Sequence, residues 1–445
     1  MTAVYAILNI QKRGEGMKRK IIVAGAGHGG LTAAALLAGK GFDVTVFEKG
    51  ERENLGHDWE DCTVLSSFEF AGIEPPPARL LRPMGPISYF SPSKSVLLRP
   101  EDESLSSTIV YIDRKELLAH LIGICEKAGV NFRFGEEVTG PVIKNGRVSG
   151  IKTDKGEYDC GLLIDAAGVL SPVRMNLPDE AGICRMPDEK DILHTFRALY
   201  ERNGESSSLP QYCAYFYHNG NRGFDWVIDE ETHADVLVAS FEKINDEIRD
   251  SALEDFRKDH KYIGKKLLRG GYYALIPVRR ALAKFVWNGY AAIGDSASMI
   301  EPLSGSGISQ SIEAGRLLAD TVAGIEGGEY TEKNLYKYEY EYFRRFMRNQ
   351  LRDEATRLLM MEAGVKRLDT MFDKRIITGK EMYGGRYTFK DIALKAAGII
   401  SSPSVIPLLC RIGIRNMKIP GLCKTLPREY DEKALRKWKK KYNNF

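Results

Sequence analysis

The chain has 445 residues, 43% hydrophobic and 28% charged, with a formal net charge of +4. That length exceeds one typical core and predicts two or three substructures, and the composition is that of a soluble globular protein. The small charge excess argues against a nucleic-acid binder, and the absence of a run of about 18 apolar residues argues against a membrane-spanning helix.

Residues 1–16 form an N-terminal extension without the basic and small-residue features of a secretory signal, and Met17 is the expected natural start. Seven cysteines (Cys62, Cys125, Cys160, Cys184, Cys213, Cys410 and Cys423) are odd in number and dispersed, with no CxxC pair. The pattern predicts reduced thiols in a cytoplasm, with neither a disulfide framework nor a metal site.

The first predicted element is a buried parallel strand, Lys20-Ile21-Ile22-Val23-Ala24. Gly25-x-Gly27-x-x-Gly30 follows at once, then an apolar helix start from Leu31. Gly25 permits the tight turn, Gly27 lets the backbone approach a pyrophosphate, and Gly30 lets helix and strand pack closely. The diphosphate belongs at the helix N-terminus, where N–H groups and the helix dipole favour negative charge. A second strand, residues 43–47, ends at Glu48, whose carboxylate is placed to accept hydrogen bonds from ribose hydroxyls and to repel a 2′-phosphate.

Residues 55–62 are polar and read as irregular, and residues 74–104 are rich in Pro and turns, with a strand-like piece at 87–90. A helix is predicted through Ala128 with Asp113 as its N-cap, followed by strands near 130–133, 148–152 and 162–165. A second segment, Ala166-Ala167-Gly168-Val169-Leu170-Ser171-Pro172-Val173-Arg174, comes next. Alternating runs between 192 and 243 predict an antiparallel sheet with one polar or ligand-lining face and one buried face. The strand at 290–295 ends in Gly294-Asp295, and Pro302 with Gly305-Ser306-Gly307 precedes another helix, whose N–H groups suit the carbonyl edge of an isoalloxazine. From about Leu335 the pattern is helical.

Together the three glycine-bearing segments point to one flavin-adenine-dinucleotide (FAD) site. With Arg114 they resemble, over residues 17–330, the flavoprotein superfamily of 4-hydroxybenzoate hydroxylase-type monooxygenases and geranylgeranyl reductases. The resemblance implies that Arg114 meets the phosphate or adenosine side of the cofactor, that Asp295 meets the ribityl chain, and that Pro302 lies beside the isoalloxazine. Gly270-Gly271-Tyr272-Tyr273-Ala274-Leu275-Ile276-Pro277, Arg279-Arg280 and Trp287-Asn288-Gly289 are similar to the geranylgeranyl reductase branch. That branch carries Tyr-x-Trp-x-Phe-Pro, and its counterpart here is Phe224-Asp225-Trp226-Val227-Ile228-Asp229. The Trp-x-Trp-x-Ile-Pro of flavin halogenases is met only at Trp226 and Ile228. Where the hydroxylases have Asp-Gly, this chain has Ala167-Gly168, which leaves the reductant open between NAD(P)H and a ferredoxin-like donor.

The expected fold is α/β: a discontinuous Rossmann-like FAD-binding domain (17–75, 105–180 and 270–330), an inserted antiparallel-sheet substrate domain (76–104 and 181–269) and a helical C-terminal region (331–445). The expected activity, implied by the resemblance, is reduction of C=C bonds in a small apolar or isoprenoid-like substrate. The alternatives are an oxygen- and NAD(P)H-dependent aromatic hydroxylase and a non-catalytic flavin redox sensor. His57 is the first candidate acid and Cys62 the second, with Trp226 on the catalytic sheet. The apolar residues 399–409 and the basic run Arg436-Lys437-Trp438-Lys439-Lys440-Lys441 suit peripheral contact with a membrane; a core helix and a solvated tail are the other reading.

Overall fold

The computed structural model describes residues 19–99, 109–205, 207–383 and 388–445, so the expectation about Met17 lies outside the described residues. In chain order the elements that build the site are β1 (Lys20–Ala24), α1 (His28–Ala38), β2 (Asp43–Glu48), β3 (Glu60–Val64), β4 (Ile87–Phe90), β5 (Ile109–Asp113), α2 (Arg114–Ala128), β6 (Asn131–Phe134) and β7 (Leu162–Asp165). Then come β8 (Leu193–Arg202), β9 (Tyr212–Phe216), β10 (Phe224–Asp229), β11 (His233–Ser240), α3 (Asp246–Asp259), β12 (Ile263–Ile276), β13 (Val286–Trp287), β14 (Tyr290–Ala292) and α4 (Ile308–Ala323). Toward the C-terminus follow α5 (Glu332–Asp373), α6 (Phe389–Ile400), α7 (Ile406–Lys424) and α8 (Glu432–Asn443), with a short helix, Gly379–Tyr383, between α5 and α6.

One sheet has the order β13-β14-β7-β1-β2-β6, with β14, β7, β1, β2 and β6 parallel. Its central strands are apolar because they are covered: α1 packs against β1 and β2, and the antiparallel strand Arg147–Thr153 brings Val148 and Ile151 into the same core as β7; Ile21, Ile22, Val23, Leu162, Leu163 and Ile164 are all fully buried. Glu48, the 25–30 loop and Asp165 therefore lie at the carboxyl ends of three adjacent strands, where open α/β sheets bind ligands. The Asp113 side chain caps α2, accepting from the N–H groups of Lys115 and Glu116.

The second large sheet has the order β12-β8-β11-β10-β9-β4, with a short strand Leu97–Leu98 at its edge. It is antiparallel except where β4 pairs parallel with β9. β12 runs continuously across residues 269 and 270. Alternation sorts its side chains: Cys213, Val227, Val236 and Ala198 pack under α3, while Ala214, Trp226, Leu237 and Arg197 stand opposite one another on the other face. One face is thus buried under α3, and the other carries Arg197 beside Trp226. The segment read as irregular also forms a strand at its end, since β3 pairs with β5 and sets Cys62 opposite Tyr111. α8 departs from expectation too. Trp438 is buried, stacks on Tyr442 and donates its indole N–H to the Leu422 carbonyl, so Arg436, Lys437, Lys440 and Lys441 of that run face outward while Lys439 turns toward Glu339.

Candidate active site

The three glycine segments meet because their backbones approach too closely for a side chain. Gly25 has φ +91°, and a Cβ there would lie 2.6 Å from the Ala166 carbonyl oxygen. A Cβ on Gly30 would sit 2.6 Å from the Ala166 methyl. Gly29 of α1 and Gly315 of α4 face each other with similarly little room, which draws the third segment onto the first.

Asp165 locks the second segment to the third. Its buried carboxylate accepts from the Ser171 hydroxyl (2.6 Å), Tyr290 hydroxyl (2.8 Å), Ser296 hydroxyl (3.1 Å) and Ala167 N–H (3.1 Å). Ser296 in turn accepts from the Gly168 N–H at 3.0 Å. Arg174, fully buried, donates to the carbonyls of Val169, Ser296 and Arg185. The acid and the arginine of this segment therefore shape the loop. Sequence reasoning missed Asp165 and Tyr290, although an acid ending an apolar strand was the available signal.

The residues present fit FAD. α1 starts at Gly27 and α4 at Gly307, and neither helix has a side-chain cap or an acid in its first turn. Both N-termini thus keep their dipole for an outside acceptor, which for FAD would be the diphosphate at α1 and the ring carbonyl edge at α4. Glu48 is held at the end of β2 by the N–H groups of Ala26 (2.8 Å) and Gly50 (2.9 Å), in position for ribose hydroxyls. Gly168 has φ +82° and no heavy atom within 4 Å of where a Cβ would be. Asp295 is half-buried, and burial raises its carboxyl above the ordinary range against the pull of Arg114 and Arg174. Pro302 is buried, and Gly305 (φ +74°) and Gly307 complete the loop beside Asp295.

Between this cradle and the second large sheet runs a chain of alternating charges. Arg114 pairs with Asp61, Asp61 lies 3.5 Å from Arg197, and Arg197 makes a two-bonded pair with Asp235 at 3.0 and 2.5 Å. Arg114 is thus engaged by Asp61 as well as facing the cradle. The guanidiniums of Arg114 and Arg197 both lie 5.5 Å from the Trp59 ring centre, and Arg197 is 5.4 Å from that of Trp226. Around this chain His28 Nε2, the Trp59 and Trp226 indole N–H groups and the Tyr111 hydroxyl are buried with no hydrogen-bond partner among the described residues. Four such orphans in one place mark a site shaped for a polar ligand edge. Asp61, Arg197 and Asp235 were not found from sequence.

The candidate acids sit on either side. His57 stacks on Trp59 at 4.2 Å, and burial with the nearby Arg114 lowers its pKa to about 4, so it is neutral at neutral pH. Cys62 packs among Met84, Tyr111, Tyr212 and Ile228, with Trp226 in the same cluster, and its thiol contacts the Ser306 hydroxyl of the third segment. Burial and the Asp61 charge push that thiol up to about 11, so it keeps its proton. Trp226 lies half-buried between Phe224, at 5.7 Å, and Tyr212, at 6.0 Å.

Fold and site together define an FAD-dependent oxidoreductase of the superfamily that contains geranylgeranyl reductases and 4-hydroxybenzoate hydroxylase-type monooxygenases. Within it the chain belongs to the tryptophan halogenase family, which matches residues 91–356, and residues 23–63 match the NAD(P)-binding Rossmann-like domain. A digeranylgeranylglycerophospholipid reductase of Methanocella arvoryzae is 29% identical over 335 residues, covering 72% of this chain and 82% of the relative. The structure of a geranylgeranyl bacteriochlorophyll reductase-like protein from Thermoplasma acidophilum shares the fold, with a TM-score of 0.69, 20% identity and coverage of 87% and 98%. A probable FAD-dependent monooxygenase of Pseudomonas aeruginosa does so at a TM-score of 0.57, with 17% identity and coverage of 80% and 99%.

Proposed function

We propose that this enzyme saturates C=C bonds of an apolar, isoprenoid-like lipid. The observation that carries this reading is an apolar cluster spanning three regions of the chain. It contains Phe216 of β9, Met360 and Phe372 of α5 and Leu408 of α7, with Phe224 and the flavin-loop residue Leu303 packed against it. A long hydrocarbon placed along these residues would reach from the C-terminal helices to the cofactor edge. The names of the reductase relatives agree with a polyprenyl substrate. Halogenation, the activity in the family's name, is not carried over, since Phe224 and Asp229 replace the flanking Trp and Pro and Asp229 is tied to Arg202 at 2.8 Å.

Reduced FAD, when bound, supplies the hydride. The protein does the rest. Gly25, Gly27 and Gly30 give the diphosphate its seat at α1, Glu48 takes the ribose, Arg114 the phosphate side, and Asp295 the ribityl chain, with Gly168, Pro302, Gly305 and Gly307 shaping the ring end. Trp226 orients the alkene on the sheet face. Cys62 is the proton donor to the second carbon, ahead of His57, because its thiol holds a proton between the flavin loop and Trp226 while the His57 ring is already neutral. The electrons come from NAD(P)H or a ferredoxin-like donor. Seven cysteines without a bridge support a cytoplasmic setting.

The test is anaerobic photoreduction of the purified flavoprotein, then addition of polyprenyl lipids, phenols or NAD(P)+. Reoxidation by the lipid supports the reading. Reoxidation only on admitting oxygen together with a phenol overturns it.

A further inference from the structure

We propose that the bent helical pair α6–α7 inserts its outer face into one leaflet of an anionic phospholipid membrane, which extends the lipid reading above by naming where the substrate enters. The two helices meet at an angle of 93°, and together, though not singly, they have the apolar length of a membrane segment. They are not core helices. In α6 only Gly398 is buried, and in α7 only Leu408, Ile419 and Leu422.

The outward side chains are large and apolar at helical spacing. Phe389 is 88% exposed and Ile400 75% on α6, and Ile406, Ile414 and Met417, the last 73% exposed, continue the stripe on α7. Isolated exposed apolar residues need no explanation, but a contiguous stripe of this size on two adjoining helices marks an interaction surface.

Charge selects the occupant. Across Phe389–Lys424 there are six basic residues, Lys390, Lys395, Arg411, Arg415, Lys418 and Lys424, against the single acid Asp391. Asp391 is bound by Lys380, while Glu362 of α5 meets Arg411 at 3.2 Å and Arg415 at 3.1 Å. Lys390 and Lys418 stand exposed beside the apolar stripe. A second copy of the chain would bring the same basic excess against itself, whereas an anionic leaflet complements it. Beside the elbow residue Ser404, a cavity of about 540 Å³ is lined otherwise by α5 around its break at Gly364 (φ +64°), including Lys366, Arg367 and Thr370. Those groups suit a lipid phosphate drawn up beside the helices.

The surface is continuous with the interior. Ile399, Leu409 and Ile412 of the pair pack directly on the apolar cluster that contains Phe372 and borders Leu303. A polyprenyl chain leaving the bilayer at the elbow could pass along this cluster without crossing water.

The experiment is flotation of the full-length FAD-loaded protein with vesicles of phosphatidylcholine alone or mixed with phosphatidylglycerol. Binding is expected on the mixed vesicles and at least about tenfold weaker on the neutral ones. The triple variant Phe389→Ser, Ile400→Ser, Met417→Ser should lose about tenfold or more of that binding. It should keep its flavin absorbance and its reoxidation by a short, water-soluble alkene. No flotation with either vesicle, or unchanged flotation of the variant, overturns the proposal. So does light scattering that shows a dimer which the variant dissolves while vesicles remain unbound. If vesicles bind but no alkene reoxidises the flavin, the membrane face stands and the proposed reaction falls.

Discussion

The nucleotide-binding half and the second large sheet are held in shape by different forces. In the first, backbones press together: Gly25 and Gly30 each leave only 2.6 Å between a hypothetical Cβ and Ala166. On the sheet, side chains of opposite charge do the work, with Arg197 and Asp235 both nearly fully buried and bound to each other. The cofactor must be gripped in one geometry, which suits rigid backbone. On the proposed reading the sheet face accepts a flexible chain, and a compensated charge chain would keep its polar groups in place while leaving apolar area for the ligand.

The contrast can be broken most forcefully at Arg197. Arg197→Met strands Asp235 in a buried setting and leaves Asp61 with Arg114 alone, which should cost about 3–5 kcal/mol. Adding Asp235→Leu should restore much of that loss in a urea titration, because the uncompensated charge goes with it. On the other side, Gly25→Ala should cost about 2–4 kcal/mol through positive φ and collision with the Ala166 carbonyl. No second substitution of a side chain can relieve a clash with backbone. Its clearest sign is loss of the yellow flavin spectrum from purified protein.

Smaller effects sharpen the picture. Cys62→Ala should slow alkene-dependent flavin reoxidation by about 10- to 100-fold in stopped-flow, while FAD content stays normal. His57→Asn should change that rate much less. Acid stability gives a further check. His28 and His260 have pKa values lowered to about 4 by burial, from an ordinary 6.5. Unfolding therefore takes up protons between those values, so the stability these histidines give is complete above pH 6.5 and is lost as pH falls toward 4. Each should contribute on the order of 3 kcal/mol across that pH window. His260→Asn should flatten the pH dependence of the urea midpoint by its share.

The nucleotide-binding half was legible because its determinants are local. Strand, glycine turn, helix and Glu48 follow one another within residues 20–48, and the Asp113 cap needs only the next three residues. The charge chain was not legible, since Asp61, Arg197 and Asp235 come together only when β3, β8 and β11 are in place. β3 itself was hidden by its polar residues, Glu60 and Asp61, which are accommodated by ion pairs to Arg82 and Arg114. The basic run at 436–441 showed its charge but not its orientation, which Phe343 and Tyr442 determine by packing on Trp438.

The central claim is that electrons leave the flavin for a carbon–carbon double bond. It is tested most directly by a strictly anaerobic single turnover of photoreduced enzyme with a polyprenyl lipid, followed by mass spectrometry of the lipid. The account predicts one saturated double bond, a gain of two hydrogens, for each flavin reoxidised. A lipid recovered unchanged beside a flavin that stays reduced until oxygen enters would contradict it.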